Sequence, residues 1–255
     1  MKQSVFSLLL FLFSLGFFAQ NTAVYTYLDK DFRRGIELFE KEKYAASVHF
    51  LEKYLTSNPY TEFAVEAQFY ISASYMLLEN NNSDKYLGAF VNSNPGHSKV
   101  SVAYFQAGMF YYKKADYRQA TDNLELVDLD QLTSDEKADA LFSLAYSYLI
   151  LKDYDKAKAK FEKVEYLGSK YKYAASYYLG YIYFKQKEYE KSTTAFERAG
   201  QNEVYAEVVP FMIMNILYHQ NKYQEVIGKG LSILSSETKM SNKNEIILLT
   251  GTSYY

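Results

Sequence analysis

Residues 134–164 read SDEKADALFSLAYSYLILKDYDKAKAKFEKV, and two short apolar stripes run through them. Leu141, Leu144, Ala145 and Tyr148 recur at helical spacing; after a break at Lys152-Asp153, Tyr154, Ala157, Phe161 and Val164 supply a second stripe at i, i+3, i+7 and i+10. Ser134 is expected to cap the first helix, with Asp135 and Glu136 in the first turn, where the helix dipole favours acids. Joined by so few residues, two such helices bury their stripes by lying antiparallel against each other. The small Ala145 lets the second helix approach closely, and the small Ala157 reciprocates.

The same pattern recurs along the chain. Small residues stand at Gly35, Ser72, Gly108, Ala145, Gly180 and Gly251, with Met214 as the exception, at spacings of 37, 36, 37, 35, 34 and 37. Three residues after each comes a large one: Leu38, Tyr75, Tyr111, Tyr148, Tyr183, Leu217 and Tyr254. Nine after comes Tyr44, Tyr117, Tyr154, Tyr189 or Tyr223, with Asn81 breaking the series; sixteen after comes Leu51, Leu124, Phe161 or Phe196, with Gly88 and Gly230 as misses. Repetition at this period means a solenoid, in which each unit buries its apolar side against the next.

These residues resemble the tetratricopeptide repeat pattern of Leu-Gly, Tyr, Tyr, Ala, Phe and a closing Pro. The third unit reads Ala107-Gly108, Tyr111, Tyr117, Ala120, Leu124. The fifth reads Leu179-Gly180, Tyr183, Tyr189, Ser192, Phe196, Ala199, and Pro59 and Pro95 close the first two. The resemblance implies an all-α solenoid of helix-turn-helix repeats wound into a right-handed superhelix. Its repeats fall at 28–61, 62–97, 98–132, 135–168, 171–201 and 204–236, followed by the first helix of a seventh at 244–255. The second unit is short in its second helix and the sixth is degenerate, with Pro210 near a first helical turn, where a missing N–H is tolerated. The last unit stops midway through a first helix without a polar cap, so the expectation is a chain that continues; a natural end docked on a partner is the alternative.

In this family the first helices line an inner groove that binds extended peptides or a partner's helix. Carried onto this sequence, the groove columns lie three before, one after and four after the small residue. They nominate Phe105, Met109, Tyr112, Phe142, Tyr146, Tyr177, Tyr181, Phe184, Phe211, Asn215 and Tyr218. Aromatics supply much contact area at modest entropy cost, which suits a polypeptide ligand. For the column three before, packing between neighbouring first helices is the favoured explanation, whereas the hydroxyls of Tyr146 and Tyr181 suit a half-wet groove. The carboxylate clamp of chaperone-binding relatives is missing, since only Asn215 has a suitable type, so an acidic C-terminal tail is not an expected ligand. Lys156, Lys158, Lys160 and Lys163 read as a solvated outer face.

The composition narrows function. With 28 basic and 30 acidic residues, net charge −2, nothing calls for nucleic acid. Cysteine is absent, which removes disulfides, thiolate catalysis and cysteine zinc sites, and three scattered histidines offer little to a metal. No nucleophile elbow, zincin motif or phosphate loop is present, so neither an enzyme nor a cofactor is expected. Met1-Lys2, an apolar run from Val5 to Phe18 and Ala19 resemble a secretory signal peptide over 1–19, followed by a short segment, 20–27. An uncleaved anchor is the alternative, because Phe17 is bulky beside the cleavage site. Export is expected, to the periplasm or the outer membrane, with no integral segment after cleavage and no cysteine to make a lipoprotein.

The reading is therefore an exported, non-catalytic scaffold that binds other proteins or peptides in envelope assembly. Two alternatives stand beside it. One is a glycan- or peptidoglycan-binding module, which would need coplanar exposed rings beside Asn, Asp or Gln. The other is a set of repeats that positions a downstream domain.

Overall fold

The computed structural model describes residues 29–235 and 242–255; the signal sequence expected at 1–19 and the segment 20–27 lie outside the described residues. The chain divides into two units, one up to Phe110 and one from Tyr111. In the first, α1 (Lys30–Glu40) pairs with α2 (Tyr44–Ser57) and α3 (Glu62–Leu77) with α4 (Ser83–Ser93), before α5 (Ser98–Lys113). The second begins with the end of α5 and continues through α6 (Tyr117–Leu124), α7 (Ser134–Ile150), α8 (Tyr154–Tyr166), α9 (Lys172–Lys185) and α10 (Tyr189–Ala199). A single turn, α11 (Glu203–Ala206), precedes α12 (Val209–His219), α13 (Tyr223–Ser235) and α14 (Lys243–Thr252). No strand occurs among the described residues.

The principal helix contacts join chain neighbours or next neighbours, as an α-solenoid requires. The apolar clusters are correspondingly local. In the first unit Phe32, Leu51, Tyr54, Ala67 and Ile71 join α1, α2 and α3, while Phe69, Met76, Leu87, Phe90, Ala103 and Ala107 join α3, α4 and α5. In the second, Phe196, Ala199, Val209 and Ile216 tie α10 to α12, and Met214, Leu217, Val226 and Ile246 tie together α12, α13 and α14.

Within a pair, the small residue is used as its size suggests. A Cβ on Gly35 would stand 2.5 Å from Leu51, and one on Gly180 would stand 2.8 Å from the ring of Phe196. Twelve residues after each glycine a buried serine returns a hydrogen bond: Ser47 Oγ donates to the Gly35 carbonyl at 2.8 Å and Ser192 Oγ to the Gly180 carbonyl at 2.7 Å. In the sixth repeat the sizes are reversed. Met214 is fully buried, and the small residue is Gly230, whose open side is taken by Thr250 of α14. What reads as a miss in the sequence is the place where α14 packs.

One local expectation is corrected. The cap of α7 is Thr133, not Ser134: Glu136 N–H donates to Thr133 Oγ1 while the Glu136 carboxylate accepts from the Thr133 N–H, a reciprocal box that places Ser134 inside the first turn. The second helix of the second repeat, α4, is short as expected, at 11 residues; α6 is shorter still, at 8, and a 3-10 turn, Leu129–Gln131, follows it. Pro210 sits in the first turn of α12.

Every helical pair turns the same corner. Seven residues after the small position the backbone enters the left-handed region at Glu42, Glu79, Ala115, Lys152, Lys187 and Asn221, with φ between 53° and 63°. The next residue's N–H then donates to the carbonyl five residues back, at 2.8–3.1 Å, from Lys43 to Leu38 through Lys222 to Leu217. This closure satisfies the carbonyls at a helix end. In the third and fourth repeats that same next residue is an aspartate whose side chain caps the following helix, Asp116 accepting from Gln119 N–H and Asp153 from Lys156 N–H. A Cβ is a burden in this conformation. Ala115→Gly is therefore expected to stabilise the chain by about 0.5–1 kcal/mol, read as a raised thermal midpoint.

Candidate functional site

The tyrosines fall into two groups, divided by what their hydroxyls do. In the column three residues after the small position, Tyr75, Tyr148 and Tyr183 tie repeats together. Tyr75 donates to Glu52 at 3.2 Å, Tyr148 to Glu125 at 2.8 Å and Tyr183 to Glu162 at 3.0 Å; Glu52 and Glu162 lie on the second helix of the preceding repeat and Glu125 at the C-cap of its second helix. Burial and the accepting Glu162 push the Tyr183 phenol up to about 12. Burial opposes ionisation of Glu125, but the Tyr148 hydroxyl and the Lys160 ammonium outweigh it and hold the carboxyl below its usual range.

The second group forms a net of rings on the second unit's first helices. Tyr146 meets Tyr112 and Tyr117 at 6.0 Å and Tyr178 at 5.4 Å, all edge to face, and Phe142 at 6.4 Å. Phe142 stacks on Tyr171 at 4.3 Å, and Phe161 lies beneath both Phe142 and Tyr178. The net continues through Tyr177, which touches Tyr178, Phe196 and Tyr205. Rings at these separations and angles add to the stability that area burial gives. Tyr112, Phe142, Tyr146, Tyr177 and Tyr178 are all partly exposed. Burial and neighbouring phenols push Tyr112 and Tyr178 up to about 12, with no hydrogen bond contributing to either. Both phenols therefore stay neutral at ordinary pH.

Of the residues nominated from sequence, the structure joins Tyr112, Phe142, Tyr146 and Tyr177 in this net. Tyr181 and Phe184 instead pack, partly buried, on the cluster around Phe196 and Ile216, and Phe211 and Tyr218 on the cluster around Met214. The Asn215 amide donates to the Phe211 carbonyl at 2.9 Å. Phe105 and Met109 belong to the first unit, where both are partly exposed.

The column four after the small residue has a further duty. Phe39, Tyr112, Phe184 and Tyr218 each meet the tyrosine that opens the following helix, Tyr44, Tyr117, Tyr189 and Tyr223, at 5.4–6.1 Å. They brace the corner of the hairpin. The sequence reading missed Tyr171, Tyr178 and Tyr205; of these, Tyr178 is visible as a second aromatic beside Tyr177.

Among the described residues no three His, Asp or Glu side chains gather as a metal ion would need, and no helix is long and apolar enough to cross a membrane.

Residues 138–167 and 174–202, which cover most of α7–α8 and α9–α10, each match a family model described as tetratricopeptide repeat. These are tetratricopeptide repeats, and the chain is a protein of that class. Solved structures share the fold. A crystal structure of MamA protein superposes with a TM-score of 0.53 at 20% identity, covering 69% of this chain and 91% of its own. A MamA AMB-1 structure gives 0.54 at 16% identity, covering 71% and 94%. A tetratricopeptide repeat protein from Parabacteroides merdae ATCC 43184 gives 0.53 at 10% identity, covering 89% and 85%. No curated protein matches the sequence.

Proposed function

We propose that this chain is a non-catalytic scaffold that binds a polypeptide on the aromatic first-helix face of its second unit. It works in the cell envelope after export, in envelope protein assembly or trafficking. The observation that carries this reading is the partly exposed ring net around Tyr146, in which the phenols of Tyr112, Tyr146 and Tyr178 make no hydrogen bond among the described residues. Tyr112 and Tyr178 each meet Tyr146 edge to face, and the closer stacked pairs, Phe142 with Tyr171, Phe161 with Tyr178 and Tyr177 with Tyr205, are occupied with one another. Such a surface offers apolar edges and hydroxyl donors to an extended backbone; it does not offer the coplanar open platform that a sugar ring needs. The apolar N-terminal segment and the lack of cysteine support an exported chain without a lipid anchor.

A photo-crosslinking amino acid at position 181, at the edge of this face, tests the reading in intact cells. A discrete polypeptide adduct in the envelope fraction is expected from position 181 and none from position 163, on the outer face of α8. Once the trapped partner is purified, Tyr181→Ala is expected to weaken its binding by about 1–2 kcal/mol without loss of helicity. Equal capture at both positions would remove the face from consideration.

A further inference from the structure

The three Tyr–Glu rungs are not equally furnished. Glu125, which accepts from Tyr148, also holds Lys160 Nζ at 3.1 Å, and Lys156 Nζ stands 5.0 Å from the centre of the Tyr148 ring. Tyr183, paired with Glu162, has Lys158 and Lys191 at 5.9 and 5.6 Å from its ring. In the first unit the rung is made, Tyr75 to Glu52, but the lysine is missing. Lys160 lies fifteen residues after its repeat's small residue; the residue so placed in the second repeat is Leu87, buried in the core. Among the described residues no Lys or Arg pairs with Glu52 or lies over Tyr75 or Tyr86. Tyr86 instead stacks on Tyr75 at 3.7 Å with an interplanar angle of 9°.

Beside this rung a cleft of about 310 Å³ opens between α2, α3 and α4, its walls including Leu55, Ile71, Ser72 and Phe90, with Glu52 and Tyr86 at its edge. Where the first, third, fourth and fifth repeats place a Leu or Phe sixteen residues after the small one, α4 has Gly88, and a Cβ built on Gly88 meets nothing within 4 Å.

We propose that this cleft binds a lysine side chain of a partner polypeptide. The four-carbon stem lies along Leu55, Ile71 and Phe90, and the ammonium reaches the Glu52 carboxylate and the ring of Tyr86. It brings from outside the charge that Lys160 brings to Glu125 from within. An apolar wall ending in an aromatic face and a carboxylate matches a side chain that is oily along its length and cationic at its tip.

The probe is n-hexylammonium, titrated into the full chain and followed through the amide resonances of Ser72, Ala89 and Phe90, with n-hexanol as the uncharged comparison. Saturable shifts are expected, with n-hexylammonium about fivefold tighter than n-hexanol, the scale of a partly exposed ion pair. Glu52→Gln, at an exposed position, is expected to abolish that preference while leaving n-hexanol binding and the circular dichroism unchanged. Ala89→Trp, also exposed, closes the cleft to both probes. Equal affinities for the two probes, a preference that survives Glu52→Gln, binding that survives Ala89→Trp, or no saturable shift would each overturn the assignment.

Discussion

Phe161→Ala is expected to lower the unfolding free energy of the chain by about 3–5 kcal/mol, the range for truncating a buried aromatic. Phe161 has no exposed surface, and it supports rings on two successive first helices, Phe142 at 5.8 Å and Tyr178 at 5.3 Å. Its removal leaves a cavity between α7, α8 and α9 and takes the floor from under the ring net. Two readings should therefore move together: the urea midpoint falls, and capture of polypeptide at position 181 weakens although Phe161 touches no ligand. Amide exchange should rise most in α7 to α10, because a solenoid passes strain mainly to neighbouring repeats. An unchanged midpoint would mean that α8 does not pack as described.

Gly180→Leu carries the next largest effect, a loss of about 3 kcal/mol from overpacking. The first atom of any side chain here would already lie 2.8–2.9 Å from three atoms of the Phe196 ring, and that ring is 2% exposed, so it has nowhere to retreat. The collision would also separate Ser192 from the Gly180 carbonyl, leaving a buried hydroxyl and a buried carbonyl short of a partner. Gly88→Ala, in a helix but facing open space, is the matched control and should cost nothing. A thermal midpoint for Gly180→Leu equal to that of the parent would refute the packing of α9 on α10.

The fold class was legible because it rests on side-chain size at fixed intervals. Gly35 against Leu51 and Gly180 against Phe196 are pairs that a reader of the letters can propose and that the folded chain contains. Three features were not legible, each for a physical reason. The left-handed corners are occupied by Glu, Ala, Lys and Asn rather than glycine, because backbone hydrogen bonds close them whatever the side chain. The Tyr–Glu rungs join residues 21 to 23 apart across two repeats, so no window within one repeat contains both ends; aligning Glu52, Glu125 and Glu162, each seventeen after its small residue, would have exposed the column. The ring net was half visible. Column positions identify Phe142, Tyr146 and Tyr177, but Tyr171 and Tyr205 lie outside the repeat's regular positions and enter only because the chain folds them onto neighbouring rings. Thr133 displaced Ser134 as a cap for a related reason: both letters suit the role, and only Thr133 stands three residues before a glutamate.

The six corners share one backbone path and no common spelling. Exchange of residues there is cheap, as Glu42, Ala115 and Asn221 in equivalent places already demonstrate. A change in length is another matter. One added residue would swing the following helix by about 100° around its axis, turning Ser192 or its counterpart toward water and presenting a charged side chain to the glycine opposite. Anyone wishing to insert an epitope or a purification tag into this protein should leave the bends at their natural length.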